Sequence, residues 1–442
     1  MRVLRERGPL ASMELQQLTG KSQPTVSRWM AALGPRGVVA LGAGRATRYG
    51  LSEPILGVRL GRQPVWRHTE QGGVGEQWGT LTLLAEGYVH VEAQGRQWVT
   101  QNVLPWFLAP LRLEGFLGRL WARSTHLSGV LGDDPQRWTV QQQLYAAIAQ
   151  VRRAPGAFTL GDPEGGPAAT PVPFEDGPRA THYDEIAADV ARSISNGSSA
   201  AGEQPKFLVD QRPNPGDKGT AWESLIVKFS PPRQQPFGRV WHDLLHAEAL
   251  AQQVLSESAE PAAPTRIVES QTRTYLESVR FDRVGQHGRR HAVPLWAIHD
   301  AFVGGSRHNW VETCAALAAQ KRLGRDDVQR VRRWFAFGEL IGNRDMHFGN
   351  LSLWADDPAA ERFALAPCYD MLPMNYKPDA HDGPMDYLPL PLSRSPVPTS
   401  AWWEAVELAE RFWDSVAKQA RCSADFRSVA ALNAQRVRDL RE

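Results

Sequence analysis

The stretch "IGNRDMHFGNLSLW", residues Ile341–Trp354, places five polar or ionisable side chains within eight residues, between two apolar segments. A purely structural turn needs only one or two such residues. The five side chains are those of Asn343, Arg344, Asp345, His347 and Asn350. Asp345 and Asn350 are close enough in the chain for one loop to direct a carboxylate and a carboxamide into the same cleft. The stretch therefore predicts an active-site loop, and the protein is expected to be an enzyme.

The composition of the chain indicates what class of protein contains this loop. A chain of 442 residues is expected to form two or three domains. The formal net charge of +2 excludes a molecule that binds nucleic acid over its whole surface. Three widely spaced cysteines, with no CxxC pair, favour a reducing compartment and predict neither disulfides nor a zinc site. Because the sequence shows neither a secretory signal nor an apolar membrane span, we expect a cytoplasmic protein without membrane contact.

The first fifty residues differ in charge from the rest of the chain. They contain eight Lys or Arg residues against two Glu residues, so the remainder is net acidic. Ser12–Gly20 and Ser22–Gly34 predict two short helices, each begun by a serine cap and ended by glycine. Gly37–Leu51 alternates like a hairpin that turns at Gly42–Gly44. Together these features predict a winged helix-turn-helix domain over residues 1–52.

Polar residues of the second helix and of the hairpin are the candidates for DNA contact. Side chains of this kind can reach base edges or phosphates. The candidates are Gln23, Thr25, Ser27, Arg28, Arg45 and Arg48. A small helical domain used for protein contacts remains the alternative, and we favour DNA because the charge and the pattern agree.

Residues 53–172 are predicted to form a second domain without a functional motif. Residues 81–99 suggest two strands around a turn at Ala93–Gly95, and residues 104–123 and 141–154 suggest helices with apolar faces. The Pro- and Gly-rich stretch Gly161–Pro178 has no periodicity and predicts a linker or long loop. A third domain is expected over residues 173–442.

The third domain begins with residues suited to binding phosphate. Small residues from Gly197 to Gly202 allow backbone amides to approach a ligand, although such loops are common and the signal is weak alone. The strand "ESLIVKFS" then places Lys228 among apolar neighbours, where a lysine needs an anionic partner. Glu248, on a predicted helix over Val240–Leu255, is positioned to be that partner. The alternative is a lysine on an edge strand that reaches solvent.

The order of these features predicts a nucleotide site like that of protein kinases. A Gly-rich loop, a strand lysine and a helix glutamate are followed by a strand over Arg273–Arg283 that suits a hinge under a purine ring. Asp345 can accept a proton from an attacking hydroxyl or orient it. Asn350 and Asp370 can both hold Mg²⁺, since twenty residues between them suit a hairpin that brings them to one ion.

Five motifs in this order resemble the HipA family of serine/threonine kinases, the toxins of bacterial toxin–antitoxin systems. They are "SSAAGEQPKF", "IVKF", "ESVRFDR", "GNRDMHFGNLSL" and "APCYDMLP". The resemblance runs from about Phe174 to the C-terminus and more faintly through residues 55–160. An N-terminal helix-turn-helix in the same chain is similar to the YjjJ-type members. The resemblance implies an α+β fold, with a two-lobed protein-kinase-like body and an N-terminal winged helix-turn-helix domain.

The resemblance also implies a role for each matching residue, with ATP and Mg²⁺ as cofactors. Asp345 is the catalytic residue, Asn350 and Asp370 are the metal ligands, and Ser199 is the autophosphorylation site, with Ser198 as the alternative. ATP-binding residues are Ala201, Gly202, Glu203, Gln204, Pro205, Lys206, Lys228, Val279, Arg280, Phe281, His347 and Tyr369. The sequence departs from the family at Gly349, where a lysine is common.

Three kinds of partner are expected, of which the first and last come from the resemblance and the second from the basic N-terminal domain. They are a protein substrate such as an aminoacyl-tRNA synthetase, operator DNA bound by the N-terminal domain, and a separate antitoxin, whose existence is left open. The second hypothesis is a DNA-binding regulator whose kinase fold senses a nucleotide with little catalysis. Retention of Lys228, Asp345, Asn350 and Asp370 favours catalysis. A metallohydrolase that uses Asp345 and His347 with His381 and Asp382 is disfavoured, because no pattern supports the second pair.

Overall fold

The structure, a computed structural model, describes residues 1–34, 37–124, 131–165, 170–195, 204–212, 221–378 and 387–441. It forms two compact units, the first comprising Met1–Glu114 and Trp121–Ala168, and the second comprising Gly115–Leu120 and Ala169–Glu442. Several predicted residues lie outside the described ones: Ser198, Ser199, Ala201, Gly202, Glu203, His381, Asp382 and the side chain of Arg45. None of the described helices is both long and apolar enough to cross a membrane.

The first unit begins with three helices and a small antiparallel sheet. The helices are α1 (Arg2–Arg7), α2 (Ser12–Thr19) and α3 (Gln23–Leu33), and the strands are β1 (Leu10–Ala11), β2 (Val38–Leu41) and β3 (Arg48–Leu51), in the order β1-β3-β2. Leu15, Val26 and Met30 pack in one apolar core between them. The predicted cap at Ser12 is wrong, because α2 is capped at Ala11, whose backbone N–H donates to the Glu14 carboxylate at 2.6 Å.

A five-stranded antiparallel sheet forms the rest of the first unit. Its strands are β4 (Arg62–Arg67), β5 (Glu76–Leu84), β6 (Tyr88–Ala93), β7 (Arg96–Gln101) and β8 (Phe158–Leu160), in the order β7-β6-β5-β4-β8. The predicted turn at Ala93–Gly95 joins β6 to β7. The predicted helix over residues 104–123 is interrupted. Trp106–Leu111 form a 3₁₀ helix that contains Pro110, and α4 (Gly115–Ser124) follows, of which Gly115–Leu120 are assigned to the second unit. Helix α5 (Val140–Ala149) contributes to the core beneath the sheet.

The second unit opens with a five-stranded sheet and two long helices. Its strands are β9 (Thr170–Val172), β10 (Lys206–Gln211), β11 (Glu223–Phe229), β12 (Thr265–Glu269) and β13 (Thr274–Val279), in the order β12-β13-β11-β10-β9, with helices α6 (Asp176–Ser195) and α7 (Pro236–Glu257). The predicted linker over Gly161–Pro178 is therefore wrong in part, because β9 pairs in parallel with β10 and α6 begins at Asp176.

The remainder of the second unit is mainly helical. Its helices are α8 (Leu295–Phe302), α9 (Trp310–Ala319), α10 (Arg325–Ile341), α11 (Thr399–Lys418) and α12 (Ala424–Asp439). Its strands are β14 (Arg283–Val284), β15 (Gly288–Arg289), β16 (Ala292–Pro294), β17 (Ser352–Trp354) and β18 (Ala364–Leu365). Helix α10 ends at Gly342, whose φ of 76° is readily adopted by glycine, and the polar loop of residues 343–350 follows. Strands β17 and β18 pair antiparallel, which confirms the predicted hairpin between Asn350 and Asp370.

Candidate active site

Lys228 lies on β11, the central strand of its sheet, and is only 5% exposed. Its Nζ donates to both carboxylate oxygens of Glu248 on α7, at 2.6 and 2.8 Å. Because β11 has a neighbouring strand on each side, the alternative of a solvent-reaching lysine on an edge strand is wrong. The predicted pairing of Lys228 with Glu248 is confirmed.

The ammonium group of Lys228 also donates to Asp370, so one buried cation serves two carboxylates. Burial by itself lowers the pKa of Lys228, and the two carboxylates outweigh it and raise that pKa. Burial raises the pKa of Asp370, but Lys228 and Lys206 lower it to about 2. For Glu248 burial dominates and raises the pKa. The three groups together carry an excess of negative charge, which an additional cation can neutralise.

Hydrogen bonds fix the backbone of the polar loop. The backbone N–H of Asp345 donates to Asn343 Oδ1 at 3.1 Å, and Asn350 Nδ2 donates to the carbonyl of Asp345 at 2.8 Å. The Tyr369 hydroxyl donates to the carbonyl of Gly349 at 2.7 Å. These bonds join the loop to the segment that carries Asp370. The loop therefore presents its ionisable side chains on a defined backbone.

The Asp345 carboxylate is about half exposed, with 49% of its side chain accessible, so it is open to a substrate. His347 Nδ1 accepts from the backbone N–H of Gly349 at 2.9 Å, so the neutral ring carries its proton on Nε2. That nitrogen lies 3.9 Å from Asp345 Oδ1. Burial raises the pKa of Asp345, with His347 opposing this shift and Asp370 adding to it.

Asp370 has a left-handed backbone, with φ at 58°, which is uncommon for a residue other than glycine. Backbone in this region costs of order 1–3 kcal/mol and persists where the surroundings impose it. Here Lys228 binds the side chain, and Asn343 Nδ2 lies 3.4 Å from the carbonyl oxygen. The arrangement directs a carboxylate at the sheet lysine.

Among the predicted nucleotide-binding residues that the structure describes, Lys206 acts on this centre together with Lys228. Lys206 lies opposite Lys228 in the β10–β11 register, and its charge lowers the pKa of both Asp345 and Asp370. The carbonyl of Pro205 accepts from the backbone N–H of Phe229 at 3.1 Å.

At the predicted hinge, Val279 ends β13 and the Phe281 ring lies 5.5 Å from that of Tyr369, between centroids. The guanidinium of Arg280 is held by the Asp282 carboxylate at 2.7 and 2.9 Å. Phe281 therefore lies near the loop segment, whereas Arg280 faces a protein carboxylate.

Two residues that affect the polar loop could not be identified from the sequence. Trp310 Nε1, at the start of α9, donates to the carbonyl of His347 at 3.0 Å. Lys377 places a positive charge near Asp345 and lowers the pKa of that residue. Neither residue lies in a recognisable motif, and only the fold brings them to the loop.

A cavity of about 560 Å³ opens beside the polar loop. Residues of the loop form one side of it, among them Asn343, Arg344 and His347. Residues from beyond Asp370, including Asn375 and Leu390, form another. Arg344 and Met346, the sequence neighbours of Asp345, line the cavity, whereas Asp345 itself does not.

In the first unit, the predicted DNA-contacting residues whose side chains the structure describes lie on α3 and on β3. Gln23, Ser27 and Arg28 are exposed and Thr25 is half-buried, while Val26 and Met30 face the core. Arg48 is exposed, and its Nη2 donates to the carbonyl of Pro9 at 2.6 Å.

Comparison with known proteins defines the class to which this site belongs. Residues 198–435 match the family model of the HipA-like C-terminal domain, and residues 60–165 match that of the YjjJ-like toxin, middle domain. The chain belongs to the HipA-like toxin family. It is 35% identical to Toxin YjjJ of Escherichia coli (strain K12) over 444 residues, which cover 99% of this chain and 96% of that protein. The family resemblance seen in the motifs is thereby confirmed.

Two solved structures show some similarity to the chain. HipA from the Shewanella oneidensis MR-1 toxin–antitoxin system, solved with HipB and its operator DNA, is 16% identical, with a TM-score of 0.49. The match covers 84% of this chain and 95% of that one. The Helicobacter pylori proinflammatory kinase CtkA is 13% identical, with a TM-score of 0.36, and the match covers 55% and 90% of the two chains.

Proposed function

We propose that the protein is an ATP- and Mg²⁺-dependent serine/threonine protein kinase of the HipA toxin type. The observation that carries this proposal is the buried Lys228, bound by Glu248 and Asp370 beside the loop of Asp345 and Asn350. On ATP binding, Lys228 exchanges its bond to Asp370 for phosphate oxygens and keeps Glu248, while Asp345 orients the attacking hydroxyl. The hydroxyl oxygen bonds to the γ-phosphorus as the bond to the ADP oxygen breaks, and Asp345 accepts the hydroxyl proton.

The residues present fit a magnesium ion. Asn350 Nδ2 donates to the backbone carbonyl of Asp345, which leaves Asn350 Oδ1 for a metal. Asp370 is a carboxylate whose cation, Lys228, is shared with Glu248. Carboxylate and amide oxygens are ligands that suit Mg²⁺. When bound, the ion would supply the neutralisation of charge that phosphoryl transfer requires.

The proposed substrates are a cytoplasmic protein, such as an aminoacyl-tRNA synthetase, and the chain itself at Ser199 or Ser198. Modification of the first would arrest growth, and modification of the second would switch the kinase off. The cavity of about 560 Å³ beside the polar loop offers a place for the segment of a protein substrate. The synthetase is the target that the resemblance to the HipA family kinases implies.

Intact-protein mass spectrometry after incubation with Mg²⁺ and ATP tests the proposal. We expect one phosphoryl group on the wild type, mapped to Ser199 or Ser198, and none on Asp345→Ala. The matched control is Asp439→Ala, since Asp439 is an exposed aspartate on α12 and its loss should leave the adduct intact. An equal adduct on wild type and Asp345→Ala would contradict the assigned role of Asp345.

Residues 1–52 are proposed to form a winged helix-turn-helix domain that anchors the kinase to its own operator. The exposed polar face of α3 and the excess of basic residues support DNA binding. Deleting residues 1–50 should abolish operator binding in a gel-shift assay and change toxicity on expression. If neither property changes, the anchoring idea is wrong.

A second candidate function is a DNA-binding regulator that senses a nucleotide with little catalysis. The observation that favours it is Gly349, at the position where the family commonly has lysine. In that case ATP would alter operator affinity, and neither the chain nor any added protein would become phosphorylated.

A further inference from the structure

A cavity of about 800 Å³ lies between helix α7 and strand β12. All eight consecutive residues from Ala262 to Glu269 line it, so the cavity follows the whole length of the strand. Gln252 and Gln253 of α7 are among the residues on another side. None of the residues assigned above to ATP, metal or catalysis lines it, so it is separate from the candidate active site.

Strand β12 is the edge of its sheet, and among the described residues it pairs only with β13. Val279 N–H donates to the Pro264 carbonyl and Ser270 N–H donates to the Arg273 carbonyl, which fixes the residues whose backbone groups face β13. Because these groups alternate along an antiparallel strand, those of Thr265, Ile267 and Glu269 point to the free edge. This edge can accept another extended chain.

Gln252 provides an independent observation in the same cavity. It is 2% exposed, and neither Nε2 nor Oε1 of its carboxamide has a hydrogen-bond partner within the described structure. A buried polar group without a partner is costly, because it has lost its bonds to water. Both atoms have almost no accessible surface, so the side chain must turn toward the cavity before a peptide group, with its one donor and one acceptor, can bond it.

The charged groups around Glu269 indicate which charge a ligand should carry at that end of the strand. Glu269 accepts from His246 Nε2 at 3.0 Å and from Arg421 Nη1 at 2.5 Å, and Arg233 Nη1 lies 3.5 Å away. Two guanidinium groups therefore surround one carboxylate. Arg421 lines the cavity and Arg233 does not, so Arg421 is the cation at this end that favours an acidic side chain on whatever binds there. Asp176 and Glu257 line other parts of the cavity.

We propose that this cavity binds an extended segment of another polypeptide, which pairs with the free edge of β12 and carries an acidic side chain at the Glu269 end. Five residues of such a segment span about 17 Å, the length of β12. The binding itself does not require kinase activity. A consequence for catalysis, through Glu248 one turn before Gln252 on α7, rests on the proposed function.

The test begins with random heptapeptides displayed on phage and selected against the full-length protein. Selected peptides, synthesised with a fluorescein label, are titrated by fluorescence anisotropy against the wild type and variants. Ile267→Pro removes an outward N–H and is a substitution that an edge strand tolerates. We expect it to weaken binding at least tenfold, with Ile267→Val as the matched control that binds normally. Gln252→Leu should weaken binding severalfold.

Two further measurements distinguish pairing with β12 from other ways of binding the peptide. Methylating alternate peptide nitrogens should abolish binding in one register and spare it in the other, as a β-ladder requires. Asp345→Ala should bind as the wild type does, so a failed kinase assay leaves this proposal intact. The proposal is overturned if no selected peptide prefers the wild type to a folded Ile267→Pro variant. Tight binders that lack Asp and Glu would overturn its acidic component.

Discussion

The candidate active site and the N-terminal module hold their charged residues in opposite ways. Lys228 is buried and bonded to two carboxylates, whereas Arg28 stands exposed on α3. Removing one member of a buried set leaves its partners uncompensated, so the effect is large and depends on the other members. Removing an exposed charge has a small effect that is screened by salt. Substitutions in the two regions should therefore differ in magnitude and in salt dependence.

The largest effect is expected for Lys228→Met, which leaves Glu248 and Asp370 without their shared cation. Phosphoryl transfer should fall by at least about 10³-fold, as for other groups that stabilise transferring phosphate. The free energy of unfolding should fall by about 3 kcal/mol. The initial rate of transfer and urea unfolding measure the two effects. A transfer rate near that of the wild type would contradict the role given to Lys228.

A smaller effect is expected for Lys377→Met. The positive charge of Lys377 acts on Asp345, beside a loop in which Gly349 replaces the family lysine. Loss of that charge should lower the maximal transfer rate by about tenfold, which corresponds to about 1.4 kcal/mol. Lys377→Arg keeps the charge and should retain most of the rate. A rise in the KM for ATP with an unchanged maximal rate would instead assign Lys377 to nucleotide binding.

Arg28→Ala tests the exposed half of the comparison. We expect DNA affinity to fall severalfold at moderate salt, and the slope of log affinity against log salt to decrease by about 1. Arg137→Ala, another exposed arginine of the same unit, is the matched control and should leave the slope unchanged. Equal slopes for the wild type and Arg28→Ala would remove Arg28 from the interface.

The smallest effect concerns stability and pH at Glu269. Burial raises the pKa of Glu269, but His246, Arg421 and His242 together lower it, and Arg233 also lies close. Because the folded-state pKa is depressed, the stabilisation is present above the usual value of 4.5 and is lost as the pH falls through the folded-state pKa. Burial also lowers the pKa of His246, so the unfolded chain takes up the His246 proton at a higher pH than the folded chain does. His246 therefore also lowers the stability of the protein as the pH falls.

Glu269→Gln should accordingly reduce the free energy of unfolding at neutral pH by about 0.5 kcal/mol, a small value because solvent screens the partly exposed carboxylate. Its stability should also change less steeply below about pH 5. Urea unfolding across this range is the measurement. A variant as pH-sensitive as the wild type would show that Glu269 does not titrate with folding.

The sequence predicted correctly those parts of the candidate site that depend on a local pattern of residues. An apolar strand followed by an amphipathic helix was enough to predict the Lys228–Glu248 pair, and the spacing of Asn350 and Asp370 predicted their hairpin. These features depend on periodicity and chain length, which a single sequence displays. The assigned roles of Asp345, Asn350 and Asp370 remain predictions.

Features set by tertiary contacts were not readable in advance. Strand β9 has only three residues, one of them proline, and it is defined by its pairing with β10. The carbonyl of Gly349 is bonded by a tyrosine twenty residues away, and the charge of Lys377, which follows Asp370 in the chain, lowers the pKa of Asp345. No local pattern reports such contacts, because the groups meet only after the chain has folded.

The left-handed backbone of Asp370 has an evolutionary consequence. Among the residues other than glycine, asparagine and aspartate adopt this conformation most readily. In a related chain, asparagine could replace Asp370 without refolding the segment, whereas a branched or bulky residue would strain it. Relatives with asparagine at this position should therefore keep the fold but lack the carboxylate that the proposed kinase activity requires. A survey of family sequences for the pairing of this asparagine with loss of Asp345 would examine that history.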